Sequence, residues 1–152
     1  DASAIFSCFD SSVIRLAMVT GMKASLCKET LENAAKAYPG IRGAIIHSDR
    51  GIQYTSQLYR EAIQKYGIQQ SMNSAGGRCH DNARCESMWA RMKTELLYDR
   101  YDTEKMTTDE LKTIIWRYFT SYWNIRRICS TNRGLPPMIK RQQYYASLKE
   151  AA

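Results

Sequence analysis

The stretch Gly43-Ala44-Ile45-Ile46-His47-Ser48-Asp49-Arg50-Gly51 decides the reading of this chain. Its apolar half is short and predicts a buried strand over 43–47. Asp49 then stands just past the strand's carboxyl end, where open α/β sheets place their chemistry. Further on, Asp81-Asn82-Ala83-Arg84-Cys85-Glu86 reads as a helix start, with Asp81 as cap and Glu86 in the first turns. A carboxylate at a strand tip and a second on a nearby helix suit a divalent cation. Mg²⁺ favours that set: a few hard oxygen ligands, several waters and a substrate phosphate. Each acid also has a plainer role, Asp49 as a turn former and Glu86 as a solvated partner of the helix dipole.

Working outward, 152 residues suit one compact domain with a real core. No apolar run is long enough to span a membrane, and no signal peptide opens the sequence, so a cytoplasmic, nucleoid-associated protein is expected. The net charge of +7 points to an anionic partner. Between Leu111 and Lys149 lie eight Lys or Arg residues and no Asp or Glu. Trp116, Tyr118, Tyr122 and Trp123 fall in the same segment, the footprint of a nucleic-acid binder or of a basic face over core aromatics. Five cysteines, an odd number, argue against a disulfide framework. Cys79, His80 and Cys85 match no common zinc spacing and have no evident fourth ligand.

Taken in order, Ala4–Phe9 and Val13–Thr20 read as a hairpin around Asp10-Ser11-Ser12. Leu26, Leu31, Ala34 and Ala35 share a helical face that Pro39-Gly40 ends. After the 43–47 strand, Ser56 caps a helix reaching Tyr66, with Tyr59, Ala62, Ile63 and Tyr66 inward and Gly67 as its stop. Residues 68–72 read as a short strand, and 73–80, with Gly76-Gly77, as a loop. On the next helix Asn82, Glu86 and Lys93 share one side, while Met88 or Trp89, Met92 and Leu96 face inward. Thr107-Thr108-Asp109-Glu110 is a capping box. Behind it Leu111, Ile114, Ile115, Tyr118, Phe119 and Tyr122 form the clearest amphipathic stripe, read as core.

Assembled, these stretches resemble the integrase-like catalytic core of bacterial insertion-sequence transposases, a group related to retroviral integrases. The words that carry the resemblance are Phe9-Asp10-Ser11-Ser12-Val13-Ile14, His47 to Ser56, Ser71-Met72-Asn73, Asp81-Asn82-Ala83 with Glu86, Lys93-Thr94-Glu95, Trp123-Asn124-Ile125-Arg126-Arg127 and Leu135-Pro136-Pro137. The resemblance implies an α/β fold of the ribonuclease H-like kind, a mixed sheet flanked by helices. It implies two Mg²⁺ or Mn²⁺ ions held by an Asp, an Asp and a Glu, with Asp49 as the second acid and Glu86 as the third. Between those two lie 36 residues, compatible with a two-metal site. Lys93, Asn82, Arg126 and Arg127 are the implied DNA contacts. The reaction would be in-line phosphoryl transfer that cleaves and joins DNA strands.

The departures from the family pattern carry their own expectations. The family's first Asp lies on a strand before the hairpin, and neither Asp1, at the start of the second strand, nor Asp10, in the turn, substitutes for it. Ser7 stands where the pattern commonly has Asp, and Arg15 where it commonly has Gly. The expectation is therefore a core lacking its first strand over 1–125, with a basic extension over 126–152 of the same domain. Impaired catalysis follows, as does a homo-oligomer that covers exposed strand edges. The alternatives are a non-catalytic DNA-binding or dimerising remnant, or a ribonuclease H-like nuclease without transposition.

Overall fold

A computed structural model of the chain describes residues 1–21, 23–73, 82–98 and 100–151. It divides the chain into two compact units, Asp1–Ile5 with Arg15–Arg91, and Phe6–Ile14 with Met92–Ala152.

The hairpin is formed by β1 (Ala2–Phe6) and β2 (Val13–Met18). Backbone bonds from Val19 N–H to the Asp1 carbonyl and from Ser7 N–H to the Ser12 carbonyl show the strands to be antiparallel. β1 stops three residues short of the expected Phe9. The turn absorbs the difference: the Asp10 carboxylate takes the Ser12 amide (3.0 Å), and Ser11 adopts a left-handed φ of 64°. Local side-chain bonding of this kind competes with the ladder.

In the first unit, α1 (Ala24–Ala37) buries Leu26, Cys27, Thr30, Leu31, Ala34 and Ala35 on one face. It packs on α3 (Gln57–Lys65), whose Tyr59, Ala62 and Ile63 are buried. Cys27, Leu31, Tyr59, Ala62 and Ile63 make one core cluster with Ile68, flanked by Ile5, Ile46 and Tyr54. As expected, the Ser56 hydroxyl caps α3 by accepting the Tyr59 amide (3.2 Å), and Gly67 (φ 61°) ends it.

β3 (Ile45–Ser48) pairs in parallel with β4 (Gln69–Met72), in the register Ile45 with Gln69 through Ser48 with Met72. Parallel strands need a crossover, and α2 (Ile52–Thr55) and α3 supply it. The strand was expected to be buried, yet Ile45 is 70% exposed while Ser48 is buried. Among the described residues β3 has β4 as its single partner, which leaves part of its surface uncovered. Strand pairing therefore has both senses of a mixed sheet, but in two separate two-stranded pairs. The helix α4 (Ala83–Met92) runs on as a π-helical turn, Lys93–Leu97. Met88, Met92 and Leu96 are buried at four-residue spacing, and Trp89 is half-buried.

In the second unit, α5 (Thr108–Arg117) starts with the expected capping box between Thr107 and Glu110. A π-helical segment, Tyr118–Trp123, continues it. Its wider turn rotates the stripe by one residue, so Trp123 is buried (4% exposed) in place of Tyr122 (43% exposed). α6 (Pro137–Glu150) starts with Pro137 at its first position. It is tied to the hairpin turn by Arg141, which donates to both oxygens of Asp10 (2.6 and 3.1 Å) and to Ser12 (2.8 Å). Asn124 clamps Val13, accepting its amide and donating to its carbonyl, both at 2.9 Å.

Candidate functional site

Asp49 and Glu86 belong to the same compact unit. Asp49 follows the last residue of β3, and Glu86 sits in the first turn of α4, both exposed to solvent. The helix start that presents Glu86 is closed by Asn82, whose carbonyl accepts the Cys85 and Glu86 amides (3.0 and 3.1 Å). The expected cap Asp81, the loop at 74–80 and the ligand candidates Cys79 and His80 lie outside the described residues.

Asp49 is oriented locally. Its Oδ1 accepts the Gly51 amide at 2.8 Å, and Ser48 Oγ donates to its carbonyl at 3.0 Å. A Cβ at Gly51 would lie 2.5 Å from the Gln53 amide nitrogen and 2.9 Å from Asp49 Oδ1, so any larger residue there must displace one or both side chains. Among the described residues no hydrogen bond engages Oδ2, so the carboxylate has a free oxygen turned to solvent. Hard carboxylate oxygens, one pre-oriented and both acids reachable by water, fit Mg²⁺ or Mn²⁺ in kind. No group of three or more His, Cys, Asp or Glu side chains placed to hold a metal occurs among the described residues.

Sequence reasoning missed the clamp beside Asp49. The parallel register sets His47 opposite Ser71. His47 is hydrogen-bonded through Nε2 to Asn73 Oδ1 (2.7 Å) and through Nδ1 to Ser71 Oγ (3.0 Å). Arg50 Nε donates to the Asn73 carbonyl (2.7 Å), and the Asn73 amide bonds the Ser48 carbonyl (3.3 Å). Both flanks of Asp49 thus grip Asn73. The words containing His47 and Asn73 were visible in the sequence, but their pairing needed the strand register.

Behind Asp49, burial pushes the Cys27 thiol and the Tyr54 hydroxyl above their ordinary values, and the charge of Asp49 adds to both shifts. Both groups stay protonated at neutral pH, so neither serves as a base. The four described cysteines, Cys8, Cys27, Cys85 and Cys129, form no disulfide with one another.

The other expected DNA contacts lie in the second unit, apart from Asn82. Lys93 is exposed at the first position of the π-helical turn. Arg126 is exposed. Arg127, by contrast, turns inward: its guanidinium reaches both oxygens of Glu95 (Nε at 3.0 and 2.9 Å) and lies 4.7 Å from the Trp123 ring centroid. Tyr118 Oη donates to the same carboxylate at 2.6 Å. Burial, then that carboxylate, raises the Tyr118 pKa. Glu95 was quoted in the sequence but its pairing, 32 residues away, left no local signal.

The profile of the integrase core domain family matches residues 3–78. A transposase for insertion sequence element IS904 of Lactococcus lactis is 33% identical over 124 residues, covering 80% of this chain and 47% of the relative. An uncharacterized 31 kDa protein of insertion element IS600 from Shigella sonnei is 32% identical over 142 residues, covering 93% and 49%. The chain thus spans about half the length of these relatives. Among solved structures, a simian T-cell lymphotropic virus intasome in complex with a PP2A regulatory subunit matches with a TM-score of 0.65 at 20% identity, over 84% of this chain and 43% of that one. The HTLV-2 integrase catalytic core domain with magnesium, in a trimeric form, matches with a TM-score of 0.54 at 14% identity over 91% and 90%. Its dimeric form gives 0.52. The fold is the ribonuclease H-like one of these integrase cores. No described helix is long and apolar enough to cross a membrane.

Proposed function

The chain belongs to the integrase core domain family, and from that premise we propose that it cleaves and joins DNA strands as the catalytic core of an insertion-sequence transposase. The observation that carries this reading is Asp49: a solvent-facing carboxylate oriented by the Gly51 amide at the carboxyl end of a parallel strand, in the unit that also holds Glu86. A divalent cation held by Asp49 and Glu86 would supply charge stabilisation at the scissile phosphate and a lowered pKa for the attacking water or 3′-hydroxyl. The chain's own residues do the positioning. Gly51 fixes one oxygen of Asp49, and His47 and Arg50 hold Asn73 beside it. Asn82, Lys93 and Arg126 are assigned to the DNA backbone, whereas Arg127 acts indirectly by holding Glu95.

Two of the family's three acids are assigned within these 152 residues, so this polypeptide by itself is expected to turn over slowly. The test is nicking and joining of a labelled duplex oligonucleotide in Mg²⁺ or Mn²⁺. Slow, metal-dependent cleavage that Glu86→Gln and Asp49→Asn both remove is the expected result. Cleavage indifferent to both substitutions would sink the site. Robust turnover that Glu86→Gln abolishes would keep the site and refute the impairment.

The second reading, a DNA-binding or dimerising protein that does not cleave, is favoured by the same shortage of assigned acids. The HTLV-2 core occurs in trimeric and dimeric forms, and we carry a homo-oligomer over to this chain as part of the proposal. A monodisperse monomer in light scattering would remove that part.

A further inference from the structure

The second unit contains a cleft of about 360 Å³ whose walls include Glu95, Arg100, Tyr101, Arg117, Tyr118 and Tyr122. We propose that this cleft takes one unpaired nucleotide of a DNA strand, its base against the tyrosine rings and its phosphate on Arg100 and Arg117. The proposal rests on the DNA reading above and adds a binding site to it.

Four features point to that occupant. The volume falls in the range of small-molecule sites and admits a single nucleotide, not a duplex. Tyr101 and Tyr122 are 44% and 43% exposed, although tyrosines of a settled core would be covered. Tyr122 is turned outward by the π-helical segment that buries Trp123, and its ring lies 5.4 Å from that of Tyr118. An unstacked base finds its partner in such exposed rings, which are sequence-tolerant stacking platforms.

The charge of the cleft is the fourth feature. Among its described lining residues the one acid, Glu95, is already neutralised by Arg127 and accepts from Tyr118. Arg100 and Arg117 are exposed, and among the described residues neither has an ion pair with a carboxylate. Among the described residues the cleft therefore offers two cations to a phosphate and no uncompensated anion against it. The adjoining cleft, which shares Tyr101 and Ile114, carries both signs of charge, with Lys105 beside Asp109 and Glu110.

The test compares the whole chain's affinity for a blunt duplex with that for the same duplex carrying a three-thymidine 3′ overhang. Stacking of one base on tyrosine predicts a preference of about tenfold for the overhang. Tyr101→Leu and Tyr122→Leu, both at exposed positions, should each erase most of that preference while leaving blunt-duplex affinity within about twofold. 5-Iodouracil in the overhang should photocrosslink to Tyr101, Tyr118 or Tyr122. Equal affinity for both duplexes, a preference untouched by both variants, or crosslinks confined to other residues would overturn the cleft while leaving the DNA reading intact. Free thymidine monophosphate competing as well as the overhang would overturn the assignment to a DNA strand. Failure to bind either duplex would overturn both readings.

Discussion

At the scale of single residues, the close approach at Gly51 controls the candidate catalytic carboxylate. Alanine there would place its Cβ 2.9 Å from Asp49 Oδ1 and 2.5 Å from the Gln53 side chain. Gln53 has a flexible end and can swing away, but Asp49 is attached to the strand and must turn off the Gly51 amide. Gly51→Ala should therefore leave the fold intact by circular dichroism and cut metal-dependent nicking by about 10²-fold, the cost typical of a misplacement of about 1 Å. Retained nicking would show that Asp49 does not need this orientation. The position of Asp49 just past a strand end was legible from the strand-then-turn pattern around 43–51. The clamp by His47 and Arg50 on Asn73 was not, because a histidine 26 residues from its partner is indistinguishable from any half-buried histidine until the strand register is known.

At the scale of elements, the periodic signals survived and the edges moved. The faces of α1 and α3 and the caps at Ser56 and Thr107 came out as read, since helix period and cap chemistry are local. The stripe of α5 failed at Tyr122, because a π-turn shifts every later residue and no side chain announces it. The long-range ion pair that holds α6 was equally invisible. Asp10 is fully buried, and burial alone would favour its neutral form, yet the Arg141 guanidinium and the Ser12 amide hold its carboxyl below the ordinary 3.8. Removing the partner strands a buried carboxylate, so Arg141→Met should cost about 3 kcal/mol in urea unfolding at neutral pH. The sign of the pH effect follows from a depressed folded pKa. Stability from this pair is present above 3.8 and is lost as pH falls through the lower folded value. The gap between wild type and Arg141→Met should therefore narrow below that pH. A gap independent of pH would mean that packing of the long side chain, and not the charge pair, anchors the helix.

At the scale of the whole molecule, the net charge of +7 does not translate directly into DNA contacts. The acid-free segment from Leu111 to Lys149 contains eight cations, but Lys112 pairs with Asp109 (3.5 Å) and three more are spent inside the protein. Arg127 holds Glu95, Arg141 holds Asp10, and Lys140 donates to the Phe9 carbonyl (2.6 Å) and to Asn132 (3.1 Å). These two arginines resemble their exposed neighbours in sequence, and composition cannot separate them. Salt dependence can, because each phosphate neutralised contributes about −0.9 to the slope of log affinity against log salt. Arg126→Gln should make that slope shallower by about 0.9 and leave stability unchanged, as befits an exposed cation on DNA. Arg127→Gln should leave the slope as it is and instead destabilise the fold by about 1–3 kcal/mol, because Glu95 and Tyr118 lose the charge that balances them. Equal slope changes in the two variants would show that Arg127 leaves Glu95 to meet the phosphate. The segment would then present more charge to DNA than the free fold displays.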